Sequence, residues 1–334
     1  GLGTRHLHAI PTDGNLAMRL DLLRSKLDEL YSQNIKVAYV VATFGTTDAF
    51  GVDDIEAIRS ILQEQAGKFG QPEPQLHVDA AVGWVTCFLS DYDTEQNRHG
   101  FSSDMIPLIQ TVKRLNQGLR VADSVAVDFH KMGWGHYPSS AFIVNRRSDL
   151  KYLSRSVSDT PYFSEADSRR DPALFTLECS RPGLGPYTVM ASLNGMGLEG
   201  WQLLVVRALE LARYLKERLS KLEYCQVLNP GTVGPNVCFW VLPKGRNAGE
   251  IFERLLAGQL PTDKIERYFA EIRRMYEKRE KVLDPTRDAR LSFTTSIGYQ
   301  PHGYHLPAWK AVFFNPKTDE SHIDRLIDSI EEMA

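Results

Sequence analysis

The chain has 334 residues, 43% hydrophobic and 24% charged, which is ordinary globular composition and enough material for about two domains of ~150 residues each. With 39 basic against 42 acidic residues the net charge is -3, so no general electrostatic pull toward nucleic acid or membrane phosphate is expected; partners should be small molecules or protein. The longest apolar runs, such as Leu-Leu-Val-Val at 203–206, fall far short of the ~20 residues that a membrane span needs, so no membrane association is expected.

The chain opens Gly-Leu-Gly-Thr-Arg-His without an initiator methionine or a signal-peptide pattern, and reads as the continuation of something longer. Leu16, Leu20, Leu23, Leu27, Leu30 and Tyr31 recur near helical spacing and predict a surface helix over 15–31 with one buried stripe. Next, Val37, Ala38, Tyr39, Val40 and Val41 form an unbroken apolar run, which predicts a strand covered on both faces, as in a parallel sheet. A helix follows, capped by Asp53 or Asp54, with Ile55, Ile58, Ile61 and Leu62 on one face. A strand at 76–82, a helix near 104–117 and strands at 124–129 and 139–145 continue the alternation, which indicates a mainly parallel α/β sheet.

From about 190 the character changes to glycine-interrupted helices, the second of them long, leading into another domain. Strands at 225–230, 236–243, 289–295 and 310–316, a helix at 262–280 and a closing helix carrying Ile323, Leu326, Ile327 and Ile330 form an α+β pattern with antiparallel pairing. The charged segment 265–282 is most simply a solvated helix rather than a nucleic-acid surface. Cys87, Cys179, Cys225 and Cys238 show no Cys-x-x-Cys spacing, which argues against a zinc site and against a dense disulfide framework; no metal is expected, and a reducing cytoplasm fits best.

Ligands of parallel α/β sheets sit beyond the carboxyl ends of the strands. Three such ends can converge: 42–47, 77–81 and 128–131. A lysine at a strand end is by itself most simply the chain returning to solvent. Beside Asp79 and a hydroxyl pair, however, Lys131 has a chemical reading. An amine that forms an imine with an aldehyde cofactor must be held rigidly and partly desolvated, and an aspartate facing a pyridine nitrogen keeps that nitrogen protonated. His130 and the threonines at 46 and 47 could orient a substrate carboxylate, cofactor oxygens or a proton.

Val-Val-Ala-Thr-Phe-Gly-Thr-Thr (40–47), Leu-His-Val-Asp-Ala-Ala-Val-Gly (76–83), Ala-Asp-Ser-Val-Ala-Val-Asp-Phe-His-Lys-Met-Gly (122–133) and Leu-Glu-Cys-Ser-Arg (177–181), in this order, resemble the group II pyridoxal-phosphate-dependent amino acid decarboxylases, which include the glutamate and aromatic amino acid enzymes. The resemblance is strong over about 35–205 and collinear to the closing segment 308–332. It implies the fold-type-I, aspartate-aminotransferase-like α/β fold. Residues 1–197 would be the C-terminal part of the large, mainly parallel domain, incomplete at its N-terminus, and 198–334 a smaller α+β domain with a leading linker helix.

The resemblance further implies pyridoxal 5'-phosphate as cofactor, Lys131 as the residue bonded to its aldehyde and Asp79 as partner of its ring nitrogen. Thr47, Ala81 and His130 would also contact the cofactor, and Arg181 would lie on the active-site side of the domain. Tyr162 would assist reprotonation of the substrate carbon, an ordinary loop aromatic being the other reading. The implied reaction converts an L-amino acid, first among them glutamate or aspartate, to its amine and carbon dioxide, in a cytoplasmic homodimer. Transamination, aldol cleavage or oxidative decarboxylation, and a non-catalytic subunit, are the alternatives.

Two departures matter. Family members often carry Asn-Pro or Asp-Pro before the His-Lys pair, whereas this chain has Asp128 and Phe129; Asp128 would repel a cofactor phosphate unless turned elsewhere, to a backbone amide or to Arg181. The family's upstream phosphate-binding loop and ring-stacking residue have no counterpart before residue 35, so weak cofactor binding is expected of this chain alone. Ser139 and Ser140 read as strand-start residues rather than phosphate ligands, and His136 and Trp134 as either pocket lining or packing.

Overall fold

The structure is a computed structural model, and it describes residues 3–154, 175, 182–284 and 288–334. The first region alternates α1 (Leu20–Ser32), β1 (Tyr39–Thr43), α2 (Ile55–Phe69), β2 (Gln75–Asp79), α3 (Ile106–Gln117), β3 (Ser124–Asp128) and β4 (Ser140–Val144). Its sheet runs β1-β2-β3-β4, with the first three strands parallel and β4 antiparallel. Parallel neighbours need a crossover of a dozen residues or more, which α2 and α3 supply. Residues 129–139 hold no such crossover helix, so β4 returns antiparallel.

Both candidate caps of α2 are used, in different ways. Asp54 accepts from the Ala57 amide and caps the helix, while Gly70 ends it in the left-handed conformation (φ 60°). Asp53 is buried instead, its carboxylate accepting from the amides of Met18 (2.6 Å) and Thr43 (2.7 Å), which ties the start of the chain to the end of β1. Burial raises the Asp53 carboxyl above its ordinary range despite these two bonds. Leu16 is buried but lies outside the helix, at φ 67°.

The expectation that the first strand is covered on both faces is corrected. Leu76 and Val78 of β2 and Ala42 of β1 are buried in one core with Ile55, Ile58 and Leu62 of α2, whereas Tyr39 and Val41 are 55% and 44% exposed. β1 ends the strand order, and among the described residues its second face has little over it. A continuous apolar run records which faces tolerate burial, and the neighbours decide whether burial happens.

The second region begins with α4 (Leu184–Leu219), interrupted at Gly197, whose φ of 61° and ψ of 174° break the helical path. Then come β5 (Cys225–Val227), β6 (Asn236–Val241), α5 (Ala248–Leu256), α6 (Thr262–Val282), β7 (Ser292–Thr294), β8 (Ala308–Val312) and α7 (Glu320–Met333). The sheet order is β5-β6-β8-β7, antiparallel throughout. Every residue of β6 is buried. Trp240 and Trp309 are fully buried, and each indole N–H has a carbonyl partner, Pro307 at 2.7 Å and Ile272 at 3.1 Å, so the rings bury apolar area without orphaning a donor.

α5 was not among the expected elements; Asn247, which caps it by accepting from the Glu250 amide, was its local signal. The charged helix α6 is solvated on one side only: Ile265, Tyr268, Ile272 and Met275 form a buried stripe, and Arg279 is buried too, donating to the Ala289 carbonyl. Cys225 and Cys238 are free, and burial pushes both thiols up to about 12, which leaves them unreactive at neutral pH. Among the described residues no helix is long and apolar enough to cross a membrane, and no group of three or more His, Cys, Asp or Glu is arranged for a metal.

Candidate active site

The parallel register carries the three candidate segments to one edge of the first sheet. Thr43 pairs with Asp79, and Asp79 with Ala126, so β1, β2 and β3 end side by side. Thr43, Asp79, Ala126 and Phe142 form a row across the less covered face, where side chains of a strand alternate with those turned to the core.

Asp79 is exposed at the end of β2, and its Oδ1 accepts from the Ala81 amide at 3.0 Å, an Asx turn that fixes the direction of the carboxylate. Ala81 is half-buried. Two residues back on the same face, His77 shares a 2.8 Å hydrogen bond with the Ser124 hydroxyl, and its ring lies 5.7 Å from that of Phe142. Burial lowers the His77 pKa against the opposing pull of Asp79, which favours the neutral ring.

After β1 the chain turns back on itself: the Gly45 and Thr46 amides both donate to the Gly51 carbonyl, and Thr46 Oγ1 accepts from the Gly51 amide at 2.7 Å. Gly45 sits at φ 92°, and a Cβ there would come 2.9 Å from the Gly83 backbone, so only glycine lets the turn lie against the segment after β2. Thr47 projects from this turn, exposed.

At the end of β3, Lys131 Nζ lies 3.0 Å from Asp128 Oδ2, and the Ser140 hydroxyl donates to Asp128 Oδ1 at 2.5 Å. His130 Nε2 is 3.7 Å from the same carboxylate, while its Nδ1 lies 2.9 Å from the Ser139 carbonyl. The Tyr137 ring packs over the imidazole, centroids 3.9 Å apart. Gly133 is required by space, because a Cβ would meet the Phe129 carbonyl oxygen at 2.5 Å. Lys131 is thus held at the strand end by the carboxylate three residues before it, with its side chain 26% exposed.

The direction of Asp128, which the sequence left open, is thereby given. Its carboxylate turns to Lys131 and Ser140, rather than to a backbone amide. Burial works to raise its pKa, but the Ser140 hydroxyl and the Lys131 ammonium outweigh it and hold the carboxyl below the ordinary range. The ionised carboxylate therefore stabilises the fold above the unfolded carboxyl pKa of about 4, and that contribution is lost as pH falls through the lower folded value. Denaturant midpoints of Asp128→Asn and the unmodified chain should accordingly differ near pH 6 and converge as the pH is lowered below about 4. A difference independent of pH would contradict the pairing.

Ser140 opens β4 and Ser139 is buried just before it. Trp134 packs: it stacks on Trp201, centroids 5.3 Å apart, and its indole N–H donates to the Phe314 carbonyl at 3.0 Å, although it also borders a small apolar cavity with Met132 and Phe313. The His136 amide lies 3.4 Å from the Thr188 hydroxyl. Tyr162 and Arg181 lie outside the described residues. Sequence reasoning missed Ser140 as partner of Asp128, and missed Asn229 and Asn236, which reach the Thr47 turn from the β5–β6 connection and the start of β6. Alternation along β4 could have put Ser140 on the face of Asp128; no local pattern points to the asparagines.

This set fits an aldehyde-bearing pyridine ring. It provides an amine that is reachable yet fixed, a carboxylate of set direction at the neighbouring strand end, and small or hydroxyl residues around them.

Three comparisons bear on the chain. The family described as pyridoxal-dependent decarboxylase conserved domain matches residues 2–242. The acidic amino acid decarboxylase GADL1 of Bos taurus is 27% identical over 99% of this chain and 55% of its own length, and the cysteine sulfinic acid decarboxylase of Rattus norvegicus 27% identical over 100% and 59%. The crystal structure of mouse CSAD in apo form superposes with a TM-score of 0.72 at 21% identity, covering 100% of this chain and 59% of that one, which shows a shared fold. The chain spans a little over half the length of the curated relatives it matches.

Proposed function

We propose, from the premise that the chain belongs to the pyridoxal-dependent decarboxylase family, that its protein releases carbon dioxide from an acidic L-amino acid with pyridoxal phosphate as cofactor. The observation that carries this reading is that Asp79 ends β2 and Lys131 follows the carboxyl end of the adjacent parallel strand β3. Bound pyridoxal phosphate supplies an aldehyde that holds an amine covalently and a ring that withdraws electrons from the carbon losing its carboxylate.

In this reading Lys131 holds the aldehyde, and Asp128 keeps its side chain in place. Asp79 retains the proton on the ring nitrogen, its direction set by the Ala81 amide. His130, Thr47 and Ala81 complete the contacts, and Tyr162 returns a proton to the substrate carbon. The large-domain part is residues 1–197, and 198–334 form the small domain; the break of α4 at Gly197 supports that division. A homodimer in the cytoplasm is part of the same proposal, and the exposed Tyr187 and Met190 on α4 support a partner surface.

An acidic substrate is supported by the relatives, one an acidic amino acid and the other a cysteine sulfinic acid decarboxylase. The test is release of carbon dioxide by the intact protein, supplied with pyridoxal phosphate, from aspartate, glutamate, cysteine sulfinate, tryptophan and 2,4-diaminobutyrate. The acidic members should show kcat/KM at least about tenfold above the others, the discrimination that one well-placed charge or hydrogen bond provides. Release from tryptophan or diaminobutyrate alone would overturn the substrate class, and a keto acid in place of an amine would overturn the reaction.

A further inference from the structure

The turn that carries Thr47 is held from the second sheet. Asn236 Nδ2 donates to the Thr47 and Asp48 carbonyls at 2.8 and 3.1 Å, and Asn229 Nδ2 donates to the Ala49 carbonyl at 2.9 Å. Three consecutive carbonyls of the turn therefore find their donors across the domain boundary. Asn236 is 0% and Asn229 1% exposed. Asn229 is itself fixed, its Oδ1 accepting from the Cys238 amide at 2.8 Å and its Nδ2 donating also to the Asn236 carbonyl at 2.9 Å.

The same segment is anchored on its other side to the putting-out point of Asp79: the Phe44 amide donates to the Asp79 carbonyl at 2.7 Å, and the Gly83 amide to the Phe44 carbonyl at 3.2 Å. Asp48 adds an ion pair to Lys310 at 2.5 Å and accepts from the Thr294 hydroxyl at 2.7 Å. Close packing accompanies these bonds, since a Cβ on Gly234 would lie 1.9 Å from the Phe50 ring. Residues 44–49 thus bridge the turn holding Asp79 and Ala81 to the second sheet.

Filling space does not require amides here. Buried polar groups cost stability unless bonded, and among the described residues Asn236 Oδ1 is buried without a partner, a cost that leucine or valine would avoid. What the amides provide is donors aimed at the turn.

We infer that Asn229 and Asn236 are positioning residues for the cofactor site, holding residues 47–49, and with them Thr47, in fixed relation to Asp79. The inference rests on the function proposed above. Through this clamp the placing of the second sheet is felt at the cofactor without any residue of that sheet having to touch it.

The test compares the intact unmodified protein with Asn236→Ala, and with Asp48→Asn as a milder change on the outer side of the same clamp should the alanine variant fail to fold. Amide hydrogen exchange of residues 45–51 and the affinity for pyridoxal phosphate, read from its absorbance on titration, are both measured. Asn236→Ala should speed exchange at 45–51 about tenfold while the β2 and β3 amides keep their protection, and should weaken cofactor binding about tenfold, as expected for loss of one or two buried hydrogen bonds. Asp48→Asn should move both readings the same way by less. Unchanged exchange at 45–51, or faster exchange with unchanged affinity, overturns the positioning role. An unmodified protein that takes up no pyridoxal phosphate overturns the proposed function instead, and the exchange data then judge the clamp alone.

Discussion

Lys131→Ala is expected to abolish carbon dioxide release and to remove the absorbance change that bound pyridoxal phosphate would show if its aldehyde were held by a protein amine. The expectation follows from position. Lys131 stands at the end of β3, where the sheet delivers a ligand, and its ammonium contacts Asp128 at 3.0 Å, within a site its side chain leaves 26% exposed. Lys310, by contrast, is committed to Asp48. The fold should survive, because a partly exposed ion pair contributes about 0–1 kcal/mol and Asp128 keeps its bond from Ser140.

Lys131→Arg separates the ion pair with Asp128 from the role proposed for the amine. The guanidinium preserves the charge facing Asp128 but stays protonated and cannot hold the aldehyde. Loss of activity in both variants, with thermal midpoints close to that of the unmodified protein, identifies the amine as the needed group. Turnover or absorbance retained by either would remove Lys131 from the chemistry.

Asp79→Asn should lower kcat by about 10²–10³-fold, the range found when one preorganised electrostatic group is removed from a site. The substitution is informative because it is nearly isosteric. The amide oxygen can still accept from the Ala81 N–H, so the turn after β2 is kept, and because Asp79 is exposed little stability depends on its charge. What is lost is the negative charge that, in the proposed function, would keep a ring nitrogen protonated. Cofactor affinity should fall far less than kcat. A kcat within about threefold of the unmodified protein would show that Asp79 does not face the ring, whatever its place at the strand end.

Both residues could be read before folding, unlike the groups that hold them. Each was singled out by its neighbours in the chain, Asp79 by the strand ahead of it and Lys131 by the apolar run 124–129. Their company was not legible in the same way. The direction of Asp128 was left open, an amide or Arg181 being offered only as examples; it pairs with Lys131 and Ser140, because the antiparallel return of β4 sets Ser140 opposite Asp128. The support of the Thr47 turn by Asn229 and Asn236 spans 180 or more positions in sequence, a separation over which no local pattern carries information.

The sequence by itself determined the kinds and order of most elements, α5 excepted, the buried stripes of α1, α2 and α7, and the three strand ends that carry Thr47, Asp79 and Lys131. Those properties follow from side-chain periodicity and chain direction, which are local. Only the tertiary structure decided which face of β1 is covered, since coverage depends on what packs against it, and which partners fix Asp128 and the Thr47 turn. Hydrogen bonds in a buried site are made between groups that the chain brings together only after the sheets have formed, and their geometry belongs to the packing rather than to any stretch of residues.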